Sequence, residues 1–186
     1  MRRRSTLVLA AFGLSALVAA ECLTLKSPGR VTAEVHPVWT EVKWRFPIDQ
    51  WGVGKAFHCE ASDCGTDVDV FLRAKIGFCN CTTGVADDPE LERVADFDLF
   101  GDQRAPVAQG HPITVRWMKG RSRAYLFSNA SRQGKSTLTT AFNDHCDVIV
   151  ATVVTGHNRP AELEPVVLEF LNGDTVIRWA EVTLGL

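Results

Sequence analysis

The clearest pattern of apolar and polar positions in this chain lies in TDVDVFLRAKIGF, residues 66–78. Apolar side chains occupy every second position from Val68 to Phe78, and most positions between them carry a charge. This alternation is typical of a strand that buries one face. The predicted solvent-facing side chains are those of Asp67, Asp69, Arg73 and Lys75.

Similar alternation predicts a strand over residues 38–46, VWTEVKWRF. Farther along, ITVRWM (113–118) and RAYLFS (123–128) flank the polar stretch KGRS. Two strands around a short polar stretch predict a hairpin, with its turn at residues 119–122.

A second hairpin is predicted from STLTTAF (136–142) and CDVIVATVV (146–154), joined by the turn NDH. Residues 146–154 are apolar on both faces over most of their length, which favours a central position in the sheet. The C-terminal segment TVIRWAEVTLGL, residues 175–186, is predicted as the last strand.

Two segments have helical patterns instead. In residues 86–101, Asp87 or Asp88 can cap a helix and Pro89 suits its first turn. In residues 160–173, apolar side chains recur at helical spacing, and Pro165 places the helix start close to that residue.

Hairpins outnumber strand–helix–strand units in this order of elements. The predicted fold is therefore a single α+β domain, with a mainly antiparallel or mixed sheet, two helices packed on one face, and disulfide bonds. The domain is expected over residues 38–186, behind an N-terminal lead at residues 21–37.

The first 20 residues resemble a secretory signal peptide. Arginines at positions 2–4 precede an apolar run of about 14 residues, and Val18 and Ala20 suit cleavage before Glu21. The run is shorter than the ~20 residues of a membrane-spanning helix. We expect removal of residues 1–20 and export of the mature chain, to a bacterial periplasm or the exterior, without a membrane span.

Composition limits the partners. Loss of residues 1–20 removes three arginines and no acidic residue, so the net charge moves from −2 to −5. Such a chain has no general electrostatic attraction for nucleic acids. We expect a protein partner or a small anionic ligand, no nucleic acid and no cofactor.

All six cysteines lie in the part expected to be exported, where an even number favours disulfide bonds. Cys59 and Cys64 flank a short polar loop, and we predict that they pair. A four-cysteine zinc site is disfavoured, because the strand predicted between Cys64 and Cys79 would hold the two cysteine pairs about 40 Å apart. The six are Cys22, Cys59, Cys64, Cys79, Cys81 and Cys146.

Two alternative roles remain open for Cys79 and Cys81. Pairing with Cys22 and Cys146 would be structural, and it is favoured because those two would otherwise stay unpaired in an oxidising compartment. If Cys79 and Cys81 instead pair with each other or stay reduced, the stretch is a redox site. A copper or zinc site would use Cys79, Cys81 and Cys146 as ligands.

The histidines give a weaker metal signal. His58 and His145 directly precede Cys59 and Cys146, and imidazole with thiolate suits copper. Adjacent strand residues point to opposite faces, so neither dipeptide is expected to chelate one ion. The other histidines are His36, His111 and His157.

No catalytic motif supports an enzyme, since GxSxG, HExxH and CxxC are all absent. The first predicted hairpin instead concentrates positive charge in an acidic chain, which suits an acidic partner or an anionic ligand. A solubilising hairpin with Trp117 in the core is the alternative. The candidate contact residues are Arg116, Trp117, Lys119, Arg121, Arg123 and Tyr125.

The sequence thus favours a non-enzymatic binding or protein-interaction domain. The alternative function is that of a thiol-redox or copper- or zinc-handling protein that works through Cys79 and Cys81.

Overall fold

Eight antiparallel strands form one sheet in the computed structural model, which describes residues 37–100, 104–127, 135–156 and 159–186. The strands are β1 Thr40–Val42, β2 Lys55–Cys59, β3 Val68–Lys75, β4 Arg104–Pro106, β5 His111–Val115, β6 Met118–Phe127, β7 Ser136–Asp144 and β8 Asp147–Thr155. Their order is β1-β2-β3-β8-β7-β6-β4, and β5 pairs with the first half of β6. The predicted antiparallel sheet is therefore present.

Helices cover both faces of this sheet. The described helices are α1 Ala61–Cys64, α2 Asp88–Val94, α3 Phe97–Phe100, α4 Glu164–Leu171 and α5 Asp174–Leu184, with a 3-10 turn, Pro160–Leu163, before α4. Helices α4 and α5 pack on the largest apolar cluster, on one face. Helices α2 and α3 pack on two smaller clusters on the other. The predicted sheet with helices packed on it is therefore confirmed, whereas two helices on one face was imprecise, because the described helices lie on both faces.

Strand β3 has buried side chains on both faces of the sheet. Its predicted apolar face is buried against α4 and α5 from Val68 to Leu72. Beyond the strand, Ile76 is 54% exposed and Phe78 packs on the cluster of the other face. On the predicted solvent face of β3, Arg73 (1% exposed) and Lys75 (4%) are buried too, whereas Asp69 is partly buried and Asp67 is exposed. The alternation gave the right element but the wrong environment, because charged side chains can be buried when partners compensate their charge.

The C-terminal segment is helix α5 and not the predicted strand. Its β-branched and aromatic residues favour strands by propensity, which misled the prediction. Its buried residues, however, recur at helical spacing, and Gly185 ends the helix with a left-handed backbone (φ 74°). They are Val176, Ile177, Ala180 and Leu184.

Two further predictions need correction. The strand predicted over residues 38–46 is only three residues long, because Trp44 and Phe46 leave the strand to pack edge-on against Phe71. The first hairpin turns at Arg116 and Trp117, not at residues 119–122. Arg116 takes the left-handed conformation (φ 53°) that this tight turn requires.

The second predicted hairpin is confirmed, with β7 and β8 joined around His145. Strand β8 lies between β3 and β7, so its predicted central position is also confirmed. The helix predicted after Asp87 is α2, which Asp87 caps by accepting a hydrogen bond from the Glu90 backbone N–H.

Several predictions concern residues outside the described ones. They are the predictions of a signal peptide at residues 1–20 and of an N-terminal lead before residue 37, and those that concern Cys22, His36 and His157. Among the described helices, none is long and apolar enough to cross a membrane.

Candidate functional site

Two disulfide bonds occupy opposite ends of β3. Cys59 bonds to Cys64, as predicted, with 6.0 Å between their Cα atoms. Cys81 bonds to Cys146 on the turn between β7 and β8, with Cα atoms 4.2 Å apart. The separation of the two bonds agrees with the argument against a four-cysteine zinc site.

Cys79 has no disulfide partner among the described residues, and its thiol is buried. Its Sγ donates a hydrogen bond to the His145 carbonyl oxygen at 3.3 Å. Burial raises the pKa of this thiol to about 11, with a smaller contribution from Glu90. A thiol in this environment is protonated at neutral pH, which makes it a poor nucleophile and a poor metal ligand.

The proposed thiolate site therefore lacks its ligands in this structure. Cys81 and Cys146 are bonded to each other, so their sulfur atoms are not free thiolates. Cys79 is a buried thiol with no disulfide partner in the described ranges. The alternative prediction of Cys79, Cys81 and Cys146 as copper or zinc ligands is thus corrected, because the disulfide bond occupies two of the three sulfur atoms.

The arginines of the basic hairpin are less accessible to a ligand or partner than the sequence suggested. Arg121 Nε donates a hydrogen bond to Asp88 Oδ1 at 2.5 Å, and Arg123 Nη1 to Glu92 Oε1 at 2.9 Å. Both side chains are mostly buried, because they hold α2 against β6. These arginines compensate acidic residues of the same chain, so an acidic partner would have to displace those contacts.

The other predicted contact residues are scattered. Arg116, at the turn, binds the Asp174 carboxylate at 3.0 Å and so ties the hairpin to α5. Trp117 is half exposed beside it and does not enter the core, and Lys119 is exposed on β6. Tyr125 is buried, which raises its pKa to about 12. The six residues do not form one open surface.

A buried ion cluster lies under the loop between β1 and β2. Lys75 Nζ lies 2.9 Å from an Asp96 carboxylate oxygen and donates a hydrogen bond to the Val94 carbonyl. Arg73 Nη1 binds Asp49 at 2.7 Å and lies 3.4 Å from Asp96. Burial raises the pKa of Asp96, although both cations oppose this shift. The cluster carries two positive and two negative groups, which suits a structural role.

An apolar opening lies at the β1 edge of the sheet, between β1 and β2 on one side and α4 and α5 on the other. Two adjoining cavities of about 260 and 280 Å³ share Phe57 and Thr175 in their walls. We call this opening the edge groove. It continues along the exposed strand β1, whose outer edge pairs with no other described strand.

The lining of the edge groove is mainly aromatic and aliphatic. Trp39 stacks on Phe170 with ring centroids 4.5 Å apart, and Phe57 meets Phe170 edge-on at 4.9 Å. Val182 stands at the rim with 84% of its surface exposed. The apolar wall beyond Phe57 consists of Leu72, Val176, Trp179 and Val182.

The groove also carries four charged residues, Glu41, Lys55, Glu169 and Arg178. Lys55 Nζ binds Glu41 Oε1 at 2.5 Å across β1 and β2, and Arg178 lies on α5. Exposed pairs of this kind contribute ~0–1 kcal/mol to stability and leave the apolar floor accessible.

Sequence reasoning missed the edge groove for a physical reason. Trp39 and Phe57 are far in sequence from Trp179, and only the packing of α5 on the sheet brings them together. The sequence predicts a strand at α5, and a strand would not present the helical face that forms one wall of the edge groove. The signal available was the helical spacing of the buried residues in α5.

The remaining histidines differ in their surroundings. His58 Nδ1 is hydrogen-bonded to Asp69 Oδ1 at 2.9 Å, and Glu60 and Asp67 lie nearby. His145 is paired with Asp144 at 3.0 Å on the exposed turn, and His111 with Glu164 at 3.0 Å. Among the described residues, only the His58 group brings three metal-ligating side chains together.

Over the residues that the structure describes, the fold and these sites define an antiparallel sheet domain with two disulfide bonds and an apolar groove at one edge. Comparison with known proteins adds no family, since no family model matches the chain and no curated protein is detectably similar to it.

Proposed function

We propose that this protein is an exported, non-enzymatic binding domain that holds an extended apolar segment of a partner polypeptide in the edge groove. The observation that carries the proposal is the continuity of an apolar groove with the outer edge of β1, which pairs with no other strand in the described part of the chain. A partner strand would gain main-chain hydrogen bonds from β1 and apolar contacts from the groove, which is the β-augmentation mode of recognition.

The chemistry of the groove favours a polypeptide over a small anion. Its floor is formed by Trp39, Phe57 and Phe170, and aromatic anchors of this kind dominate binding energy at interfaces. The arginines predicted to bind an anion, Arg121 and Arg123, are already paired with acidic residues of α2. Export is supported by the two disulfide bonds, which persist in oxidising compartments.

Peptide selection tests this proposal. A random-peptide library would be selected against residues 21–186, and the selected peptides measured by titration calorimetry and mapped by NMR. We expect extended apolar peptides whose binding shifts the amide signals of Glu41, Lys55 and Trp179. Val182→Glu places a charge at the rim of the groove and should weaken binding at least tenfold.

Val107→Glu is the matched control, because Val107 is an exposed valine remote from the edge groove. It should leave peptide affinity unchanged. The proposal fails if the library yields no apolar peptides, if the shifts map to other strands, or if V182E binds as tightly as the unaltered protein.

A further inference from the structure

Four polar side chains meet where β2 passes into the loop that leads to β3. The antiparallel register places His58 directly opposite Asp69, and Cys59 opposite Val68. Glu60 follows His58 by two residues and Asp67 precedes Asp69 by two. Glu60 and Asp67 lie one residue beyond the ends of β2 and β3, and their ligand atoms lie within 4.8 Å of that of His58, on the same side of the hairpin.

The imidazole of His58 is held in one orientation. Its Nδ1 is bonded to Asp69 Oδ1 at 2.9 Å, and the other oxygen of Asp69 lies 3.6 Å from Arg45. His58 Nε2 then faces the loop, where Glu60 Oε1 lies 3.6 Å away. A carboxylate that fixes one imidazole nitrogen while the other faces outward is the usual arrangement behind a metal-bound histidine.

The loop that carries these groups is covalently fixed. The Cys59–Cys64 disulfide closes it on the opposite face of β2, and Gly65 takes the left-handed backbone (φ 73°) that ends α1. The Ala61 backbone N–H donates a hydrogen bond to Asp67 Oδ1 at 3.2 Å. The ligand groups therefore stand on a braced hairpin rather than on a long free loop.

We propose that His58, Glu60 and Asp67 form a binding site for a divalent metal ion of the zinc class, with Asp69 as the residue that positions His58. The three ligand atoms lie within 4.8 Å of one another. Two atoms bound to one tetrahedral zinc ion at ~2.0–2.1 Å are ~3.3 Å apart, close to the His58–Glu60 distance.

The donor set also indicates the type of ion. One imidazole with two carboxylates suits zinc, whereas calcium and magnesium prefer oxygen ligands alone. Three protein ligands leave a coordination position for water or for a group of another molecule. Asp67 and Asp69 also line a cavity of about 240 Å³, whose other lining residues include Lys135 and Thr155. The site is on the opposite face of β2 from Phe57, so it is independent of the edge groove.

Zinc titration tests the site. The mature chain, residues 21–186, would be freed of metal with a chelator and titrated with ZnCl₂ by calorimetry, with imidazole ¹⁵N signals followed by NMR. The first equivalent should shift the Nε2 signal of His58. His58→Gln and Glu60→Gln should each lower zinc affinity at least tenfold. Glu60 is exposed, so its substitution tests the site even if H58Q disturbs folding.

Two further variants sharpen the result. Asp69→Asn should reduce affinity 10–100-fold and change the tautomer of the His58 ring, which a merely structural role would not do. His145→Gln is the matched control, because His145 also has a carboxylate partner but no third ligand among the described residues. The H145Q variant should bind zinc with the same affinity as the unaltered protein.

The proposal is overturned if E60Q and H58Q both bind zinc like the unaltered protein, if the first equivalent shifts His145 or His111 instead, or if a tenfold excess of Ca²⁺ displaces the zinc. Peptide binding in the edge groove should be the same in all these variants. Loss of the metal site and failure of the proposed function are therefore separate outcomes.

Discussion

At the scale of single residues, the buried charges of β3 depend on partners that are distant in sequence. Lys75 meets Asp96 in the segment between α2 and α3, and Arg73 meets Asp49 in the loop before β2. A buried charge without such a partner would cost several kcal/mol. The cluster therefore fixes how the loop and the α2–α3 segment sit on the sheet.

The substitution Lys75→Met tests this dependence. It keeps the length of the side chain but leaves the Asp96 carboxylate with Arg73 alone, so we expect the free energy of unfolding at pH 7 to fall by about 3–5 kcal/mol. The loss should become smaller as the pH falls, because burial has already raised the pKa of Asp96 and protonation removes the unpaired charge. Urea unfolding with the disulfides intact measures both effects.

Lys55→Met is the control for this prediction, since Lys55 also pairs with a carboxylate, Glu41, but at the surface. Its cost should stay within about 1 kcal/mol. Equal losses in the two variants would mean that the Lys75 pair contributes no more than an exposed one.

The sequence identified some of these residues and not others. Cys59 and Cys64 were paired correctly because a short loop limits which cysteines can meet. Arg73 was placed in solvent because alternation reports which residues share a face, but not whether that face is covered. As a candidate metal ligand, His58 drew attention because it precedes Cys59, whereas its partner across the hairpin is Asp69. The spacing of His58-x-Glu60 and Asp67-x-Asp69 around the disulfide loop was the available signal.

At the scale of elements, close approach between strands decides where the first hairpin turns. Gly120 falls within the predicted turn at residues 119–122, but it lies inside β6, opposite Phe142 of β7. A Cβ atom at Gly120 would overlap the Ala141 carbonyl oxygen. The glycine thus serves close packing between β6 and β7 rather than a turn.

Gly120→Ala should therefore destabilise the protein by at least about 1–3 kcal/mol, because a new methyl group must displace the β7 backbone. Gly156→Ala is the control, since a Cβ atom there would meet no atom within 4 Å and the backbone is not in the left-handed region. Thermal unfolding should give a clear decrease in Tm for G120A and almost none for G156A. A similar Tm for the two variants would contradict the packing role of Gly120.

At the scale of the whole molecule, the two covering layers are held by different forces. Helices α4 and α5 lie on a continuous apolar cluster. Helix α2 covers a smaller cluster and depends more on charge, because Asp88 binds Arg121 of β6 and Glu90 binds the backbone N–H of Asn80. Local alternation indicated a sheet but could not show this second layer, which depends on contacts between distant segments.

The charged layer makes the molecule sensitive to acid. The hydrogen bond from Arg93 lowers the pKa of Glu90 despite partial burial. Burial raises the pKa of Asp88, but the hydrogen bonds from Arg121 and the Gly110 backbone N–H outweigh this and lower it overall. A lowered pKa in the folded state contributes stability above the unfolded-state value, near 4, and this stability is lost as the pH falls through the folded value.

We therefore expect the free energy of unfolding to decrease as the pH falls from about 5 toward 2, with α2 loosening before α4 and α5. Hydrogen exchange across this range should show faster exchange for the amides of Leu91 and Val94 than for those of Val167 and Leu171. Asp88→Asn should lower stability at pH 7 and flatten the acid dependence, because the variant has no carboxylate to protonate at that position. A D88N profile parallel to that of the unaltered protein would mean that the contacts between α2 and β6 do not control the acid response.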